Sequence, residues 1–201
     1  MSHLTKFTRR GALALAAGAS AAAVAGPVWA LDGDQAERFI ARVIDDLRAL
    51  VQGGGDAGQF LALLEKNAAV PQVGKFAMGR NWREMSGGQQ ESYQAAFRGY
   101  ISRTYAKRFG EYTGQEIAVT GSTDAGRKGV LVKSALKQAG QPDLVIEWLV
   151  TDRLGPPKVA DVVFEGISLS ITLREVFGGM VDKRNGDIDA FIADLNASEG
   201  A

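Results

Sequence analysis

Side chains that could carry out chemistry are scarce in this sequence. Its 201 residues include no cysteine and a single histidine, His3. Beyond His3 there is no imidazole or thiol for a Ser-His-Asp or Cys-His nucleophile, or for a zinc site built on histidine or cysteine. Carboxylates, tyrosines, lysines and arginines remain. A carboxylate metal or hydrolase site stays open, but no acidic cluster stands out at a useful spacing.

An enzyme acting on an apolar substrate is the alternative that these residue types leave open. In small isomerases and dehydratases a buried Asp or Tyr can act as the general acid or base. Tyr100, Tyr105 and Asp161 could serve in this way. Against this, strand alternation predicts that Asp161 faces solvent. A raised pKa on a buried carboxylate beside a cavity would favour the enzyme.

The elements that must position these residues are helical in the first half of the chain. Four helical segments are predicted. The first is capped by Asp32 or Asp34 and stopped by Gly53-Gly54-Gly55, and the second runs from Asp56 to before Pro71. A short segment over 73–85 follows, and the longest runs from Ser86 to about Phe109. The longest has a stripe formed by Tyr93, Phe97, Tyr100, Ile101, Thr104 and Tyr105. Such a stripe is more often core than ligand site, but its four rings would also suit an apolar ligand.

The second half of the chain changes to a period of two residues. Strands are predicted over about 115–121, 130–137, 144–151 and 159–165, with a turn at 123–127. Short turns between successive strands indicate an antiparallel meander. The predicted solvent face carries Lys133, Lys137, Glu147, Asp161 and Glu165, and the covered face carries Val132, Ile146, Trp148, Val162 and Phe164. Along the last strand, alternation places Val159 on the same face as Asp161.

The segment that follows this strand predicts how the sheet is covered. Gly166 breaks the alternation, and Ser168 stands at the N-cap position of an apolar helix that would lie over the sheet. A last amphipathic helix is predicted over 185–195. Helices followed by strands indicate an α+β fold: N-terminal helices packed on a curved four-stranded antiparallel sheet, with C-terminal helices, enclosing a hydrophobic cavity.

The N-terminus has the pattern of an export signal over residues 1–30. A basic stretch that includes Arg9 and Arg10 precedes an Ala-rich apolar run, and Val28 and Ala30 form a cleavage-site pattern. The run is short for a transmembrane anchor. The two arginines resemble a twin-arginine signal, although a general secretory signal can also carry them. We therefore expect a periplasmic protein whose mature part, residues 31–201, is one domain.

Composition and charge exclude other classes. With 46% hydrophobic and 23% charged residues, the chain is typical of a globular domain. It has 23 basic and 23 acidic residues, and three of the basic ones lie in the first 31 residues, so the remainder carries 20 against 23, a net charge of −3. Without a basic stripe on a mildly acidic body, nucleic acid is not an expected partner.

Three stretches together resemble the periplasmic MlaC family, the toluene-tolerance-type phospholipid carriers. They are YISRTYAKRFGEYTGQEIAV at 100–119, Ile146-Glu147-Trp148, and DVVFEGISL at 161–169. The likeness runs from about Asp32 to Leu195. It departs from the family at Pro156-Pro157-Lys158, where an aromatic residue often follows a Gly-Lys turn.

The resemblance implies a function that needs no cofactor. Members hold a phospholipid's acyl chains between sheet and helices. They shuttle the lipid between an outer-membrane lipoprotein–porin complex and an inner-membrane ABC transporter complex with its substrate-binding subunit, maintaining outer-membrane lipid asymmetry. The lipid-binding residues predicted here are Phe97, Tyr100, Ile101, Tyr105, Val119, Val130, Val132, Ile146, Trp148, Val162, Phe164, Ile167 and Leu169.

Overall fold

The computed structural model of the chain describes residues 31–110, 115–138 and 140–198. The predicted export signal lies outside the described residues, as do residues 111–114 of the stretch at 100–119 that resembles the MlaC family. The helices are α1 Gly33–Gln52, α2 Ala57–Asn67, α3 Val70–Met78, α4 Asn81–Glu84, α5 Gly87–Gly110, α6 Leu169–Lys183 and α7 Ile188–Ala197. The strands are β1 Ile117–Asp124, β2 Val130–Leu136, β3 Leu144–Thr151, β4 Lys158–Phe164 and β5 Ile167–Ser168.

Side-chain caps fix where most helices begin. The carboxylate of Asp32 accepts a hydrogen bond from the Gln35 backbone N–H at 2.7 Å, and Asp56 forms a reciprocal capping box with Gln59. The Ser168 hydroxyl accepts from the Ile171 N–H. Each cap satisfies a backbone donor that has no partner inside its helix. The predicted starts at these residues are therefore confirmed.

The connection from α2 to α3 differs from the prediction. Pro71 lies in the first turn of α3, which begins at Val70, instead of separating two helices. A first-turn position suits proline, because the N–H that proline lacks would have no helical acceptor there. Gly79 ends α3 with φ 55°, so the predicted segment over 73–85 is divided between α3 and the short α4.

The sheet is antiparallel throughout, with the strands in the order β1-β2-β3-β4-β5. Val132, Trp148 and Val162 lie side by side on three neighbouring strands. The α+β class is confirmed, but the strand count is five instead of four. Glu165 (φ 48°) and Gly166 (φ 80°) form a two-residue turn that returns the chain against β4. Positive φ at both turn residues matches the twist of a tight hairpin.

Two further sheet predictions were wrong in detail. Residues Thr123 and Asp124, predicted in a turn, extend β1 and pair with β2. Between β3 and β4 the register shifts, because Leu149 pairs with Asp161 while Val150 pairs with Val159. This β-bulge leaves one extra residue on β4 and reverses the alternation there. Val159 is therefore buried on the covered face and not exposed beside Asp161.

Two hydrophobic clusters hold the layers together. In the first, α1 packs directly on the covered face of the sheet, with Ile40 and Val132 fully buried. In the second, α3, α5, α6 and α7 pack around Tyr93, Phe97 and Phe177. Within the described part of the chain, no helix is long and apolar enough to cross a bilayer.

Candidate functional site

An apolar cavity of about 470 Å³ lies between the two hydrophobic clusters. Its wall is built by α1, α2, α3, α5 and α6 on one side and by β3 and β4 on the other. This volume falls within the range of about 300–1,000 Å³ that is usual for ligand sites. Asn67, Asp161 and Ser170 contribute polar groups to a lining that is otherwise almost wholly apolar.

Seven of the thirteen predicted lipid-binding residues line this cavity. They are Phe97, Ile101, Tyr105, Trp148, Val162, Phe164 and Leu169. They come from α5, β3, β4 and the start of α6, so residues distant in sequence are brought to one surface. Contact of these residues with a bound ligand stays a prediction.

The other six predicted residues lie elsewhere. The core beneath α1 includes Val130, Val132 and Ile146, with Val119 packed against it, while Tyr100 meets Phe177 in the helical cluster at a ring-centroid distance of 5.4 Å. Ile167 is 66% exposed. Strand alternation identifies a covered face, but one part of that face is covered by a helix and another part faces the cavity. As ligand contacts these six also remain predictions.

Much of the cavity wall was not predicted from the sequence. The additional lining residues are Val43, Leu47, Phe60, Leu63, Leu64, Asn67, Ala68, Val70, Val73, Val159, Ala160, Asp161, Ser170 and Leu173. Helical periodicity marks several of them, among them Val43, Leu47 and Phe60, as an apolar face. It does not say that this face borders a cavity.

Asp161 is half-buried at the edge of the cavity. The prediction that it faces solvent was therefore only partly correct. One carboxylate oxygen accepts a hydrogen bond from the Ser168 hydroxyl at 2.5 Å, and the other accepts from the Ser170 backbone N–H at 3.0 Å. Negative charge is also favourable beside the N-terminus of α6. The carboxylate therefore anchors α6 to β4, which accounts for its presence at the cavity without a catalytic role.

The aromatic stripe of α5 is mainly core. Tyr93 is fully buried, its hydroxyl donates to the Gly74 carbonyl at 2.8 Å, and burial raises its pKa far above the ordinary value. A Cβ at Gly74 would lie only 2.8 Å from the Phe97 ring, so glycine permits this close approach of α3 and α5. Phe97 belongs to both the core cluster and the cavity wall.

A second set of hydrogen bonds closes the wall between α2 and β4. The Ala69 N–H donates to the Val159 carbonyl at 2.8 Å, and the Lys158 ammonium donates to the carbonyls of Glu65 and Lys66 at the end of α2. A cation at a helix C-terminus satisfies carbonyls that lack helical partners. Lys158 of the divergent Pro-Pro-Lys turn thus caps α2. No group of three or more potential metal ligands occurs in the described residues.

Two comparisons relate this architecture to known proteins. The family model described as MlaC protein matches residues 37–197. Among solved structures, the chain is similar to a phospholipid-binding protein from Ralstonia solanacearum in complex with a phospholipid, determined at 1.53 Å resolution. The TM-score is 0.65 at 26% sequence identity, and the match covers 80% of this chain and 98% of that chain.

Proposed function

The chain belongs to the MlaC family, and on this basis we propose that it is a periplasmic phospholipid carrier. The observation that carries the proposal is the apolar cavity between the sheet and the helices. The chain shares its fold with a protein from Ralstonia solanacearum whose structure contains a phospholipid. The acyl chains would occupy the cavity, and the head group would remain near solvent. The activity involves no chemical step and no cofactor.

The apolar lining gives this carrier its affinity for lipid in water. Each buried methylene contributes about 0.8 kcal/mol, so two acyl chains with on the order of 30 methylenes would gain at most roughly 24 kcal/mol on leaving water. A bilayer shelters the same chains about equally well. Transfer between bilayer and cavity is therefore close to balanced, and the carrier can hold lipid in solution yet release it to a partner.

Because binding is balanced, the direction of transport must come from the partners. We propose that these are an outer-membrane lipoprotein–porin complex and an inner-membrane ABC transporter complex with its substrate-binding subunit. Such an arrangement would maintain the lipid asymmetry of the outer membrane. The sequence contains no phosphate-binding loop of its own, so ATP would act through the transporter.

Lipid analysis of natively purified protein tests the carrier function. Organic extraction followed by mass spectrometry should yield diacyl phospholipid held without a covalent bond. Because apolar contacts dominate the cavity, washing at high salt should leave the lipid content unchanged, in contrast to ligands held by screened charges. Protein that is empty, and that also takes up no lipid from its partner complexes, would contradict the proposal.

A further inference from the structure

The cavity reaches the protein surface at the β4–β5 hairpin. Phe164 lines the cavity and is nevertheless 41% exposed, so the cavity opens beside this side chain. Ile167 pairs with Phe164 across the hairpin, which places the two side chains next to each other on one face. Ile171 follows in the first turn of α6 and is also exposed. We define these three residues as the apolar rim.

A cationic and aromatic surface continues from this rim along α6 and α3. Arg174 stands one helical turn after Ile171, and its guanidinium lies over the ring of the exposed Phe76 at 5.4 Å. Phe76 in turn lies one turn after Val73, which lines the cavity. This surface is therefore continuous with the cavity mouth.

The cations of this surface rest on aromatic rings instead of pairing with acids. The Lys75 ammonium lies 5.8 Å from the centroid of the Trp82 ring. Residues 70–83 include three basic residues and no acidic residue, although the chain after residue 31 has a net charge of −3. In the parts of the chain that the structure describes, neither Lys75 nor Arg174 forms a salt bridge. The nearby Glu165 carboxylate accepts a hydrogen bond from the Val145 N–H.

We propose that the apolar rim, together with Phe76, Lys75 and Arg174, docks on the surface of an anionic phospholipid bilayer. Exposed aliphatic and aromatic side chains enter the boundary between head groups and acyl chains, while long basic side chains reach the phosphates. Each cation near an anionic bilayer contributes roughly fivefold to binding. Docking in this orientation turns the cavity mouth toward the membrane. The inference rests on the proposed function in its choice of a lipid surface as partner.

Flotation with vesicles tests this surface in the full-length mature protein. One set of vesicles contains phosphatidylcholine alone, and the other contains phosphatidylcholine with phosphatidylglycerol. We expect binding to the second set that weakens as salt is raised, because salt screens exposed charges. Lys75→Ala with Arg174→Ala should reduce the partition coefficient roughly 25-fold. Ile171→Ser should reduce it roughly tenfold, since an exposed apolar side chain no longer enters the bilayer.

Matched substitutions elsewhere control for general effects of charge and hydrophobicity. Arg38→Ala with Arg42→Ala removes two exposed cations from α1, and Leu154→Ser removes a 49% exposed apolar side chain at the β3–β4 turn. Both controls should bind vesicles like the wild type. The proposal is disproved if the docking-surface variants bind anionic vesicles as well as the controls do. It is also disproved if the wild-type protein does not bind anionic vesicles.

The lipid content of the same proteins separates this inference from the carrier function. The docking-surface variants should retain bound phospholipid, because Ile171, Lys75 and Arg174 do not line the cavity. Wild-type protein that carries phospholipid but does not bind vesicles would overturn membrane docking and leave the carrier proposal intact. Such a result would assign the surface to a protein partner instead. Protein that holds no phospholipid would contradict the carrier function itself.

Discussion

The hydroxyl group of Tyr93 illustrates how an ionisable residue can serve packing alone. It is buried among the rings of Phe97, Phe177 and Phe191, and it donates a hydrogen bond to the Gly74 carbonyl. Desolvation raises the pKa of this hydroxyl above its ordinary value of 10.0, because the phenolate would lose its hydration inside the core. Tyr93 therefore remains protonated in the folded protein when the unfolded chain begins to ionise.

Alkaline pH should consequently destabilise the fold through this residue. A folded-state pKa above the unfolded value gives stability that is complete below about pH 10 and is lost as the pH rises further. The expected slope from Tyr93 is about 1.4 kcal/mol of unfolding free energy per pH unit. Urea denaturation between pH 8 and about pH 11 measures it. Tyr93→Phe should cost about 1 kcal/mol at neutral pH, through the lost hydrogen bond, and should lack that slope. Equal slopes in the two proteins would contradict this explanation.

Asp161 is a second ionisable residue whose role is structural. Strand parity predicted a solvent-facing group, whereas the chain bends back through β5 and brings the N-terminus of α6 onto it. Its hydrogen bonds to Ser168, Ser170 and the Val162 N–H give the carboxylate a structural task at the edge of the cavity. The geometry thus supports a lipid-binding wall more strongly than the isomerase or dehydratase considered from the sequence.

At the scale of elements, paired residues on neighbouring strands of the covered face lie in two environments, the core beneath α1 and the wall of the cavity. Val132 on β2 is fully buried beneath α1, and its neighbour Trp148 on β3 contacts both the core and the cavity. Val162, opposite Trp148 on β4, lines the cavity. Helix α1 covers one part of the sheet, and the cavity occupies the space over the other part.

Tryptophan substitutions along this register should therefore give different results. Val162→Trp should fold and lose bound phospholipid, because the ring would fill part of the cavity that we propose for the acyl chains. Val132→Trp should reduce the free energy of unfolding by about 1–3 kcal/mol, because it overpacks a core that is already filled. Val163→Trp, on the opposite face, is the control and should retain its lipid. Urea denaturation and lipid analysis measure both effects. A stable Val132→Trp without lipid would show that the cavity extends beneath α1.

At the scale of the whole molecule, the first described residue, Leu31, is hydrogen-bonded to the residue that follows β3. The Leu31 backbone N–H donates to the Asp152 carboxylate at 3.0 Å, and Leu31 packs against the core beneath α1. The predicted cleavage after Ala30 would turn this neutral amide into a charged α-amino group. The mature N-terminus would then form an ion pair with Asp152.

Export and this ion pair can be tested together. N-terminal sequencing of protein from the periplasmic fraction should begin near Leu31, and an intact Met1 in a cytoplasmic pool would contradict export. In the processed chain, Asp152→Asn should reduce the unfolding free energy by about 0.2–1 kcal/mol, less at high salt because the charges are screened. A chain that keeps residues before Leu31 is the control, and the same substitution should have a smaller effect in it.

The sequence alone determined the features that depend on near neighbours along the chain. Helix starts at Asp32, Asp56 and Ser168 follow from side chains that reach backbone donors three residues away. The alternation along β2 and β3 follows from the pleat of a strand, so the sheet and its covered face could be predicted. The scarcity of His and Cys was likewise visible in the composition.

Only the tertiary structure decided which apolar residues face a cavity and which are core. That distinction depends on where α1 and the other helices lie over the sheet, and apolar periodicity is the same in both places. The bulge that buries Val159 depends on the register of β4 against β3, and the position of Asp161 depends on the return of the chain through β5. These pairings join segments through cooperative contacts across the sheet, and the local pattern of residues does not specify them.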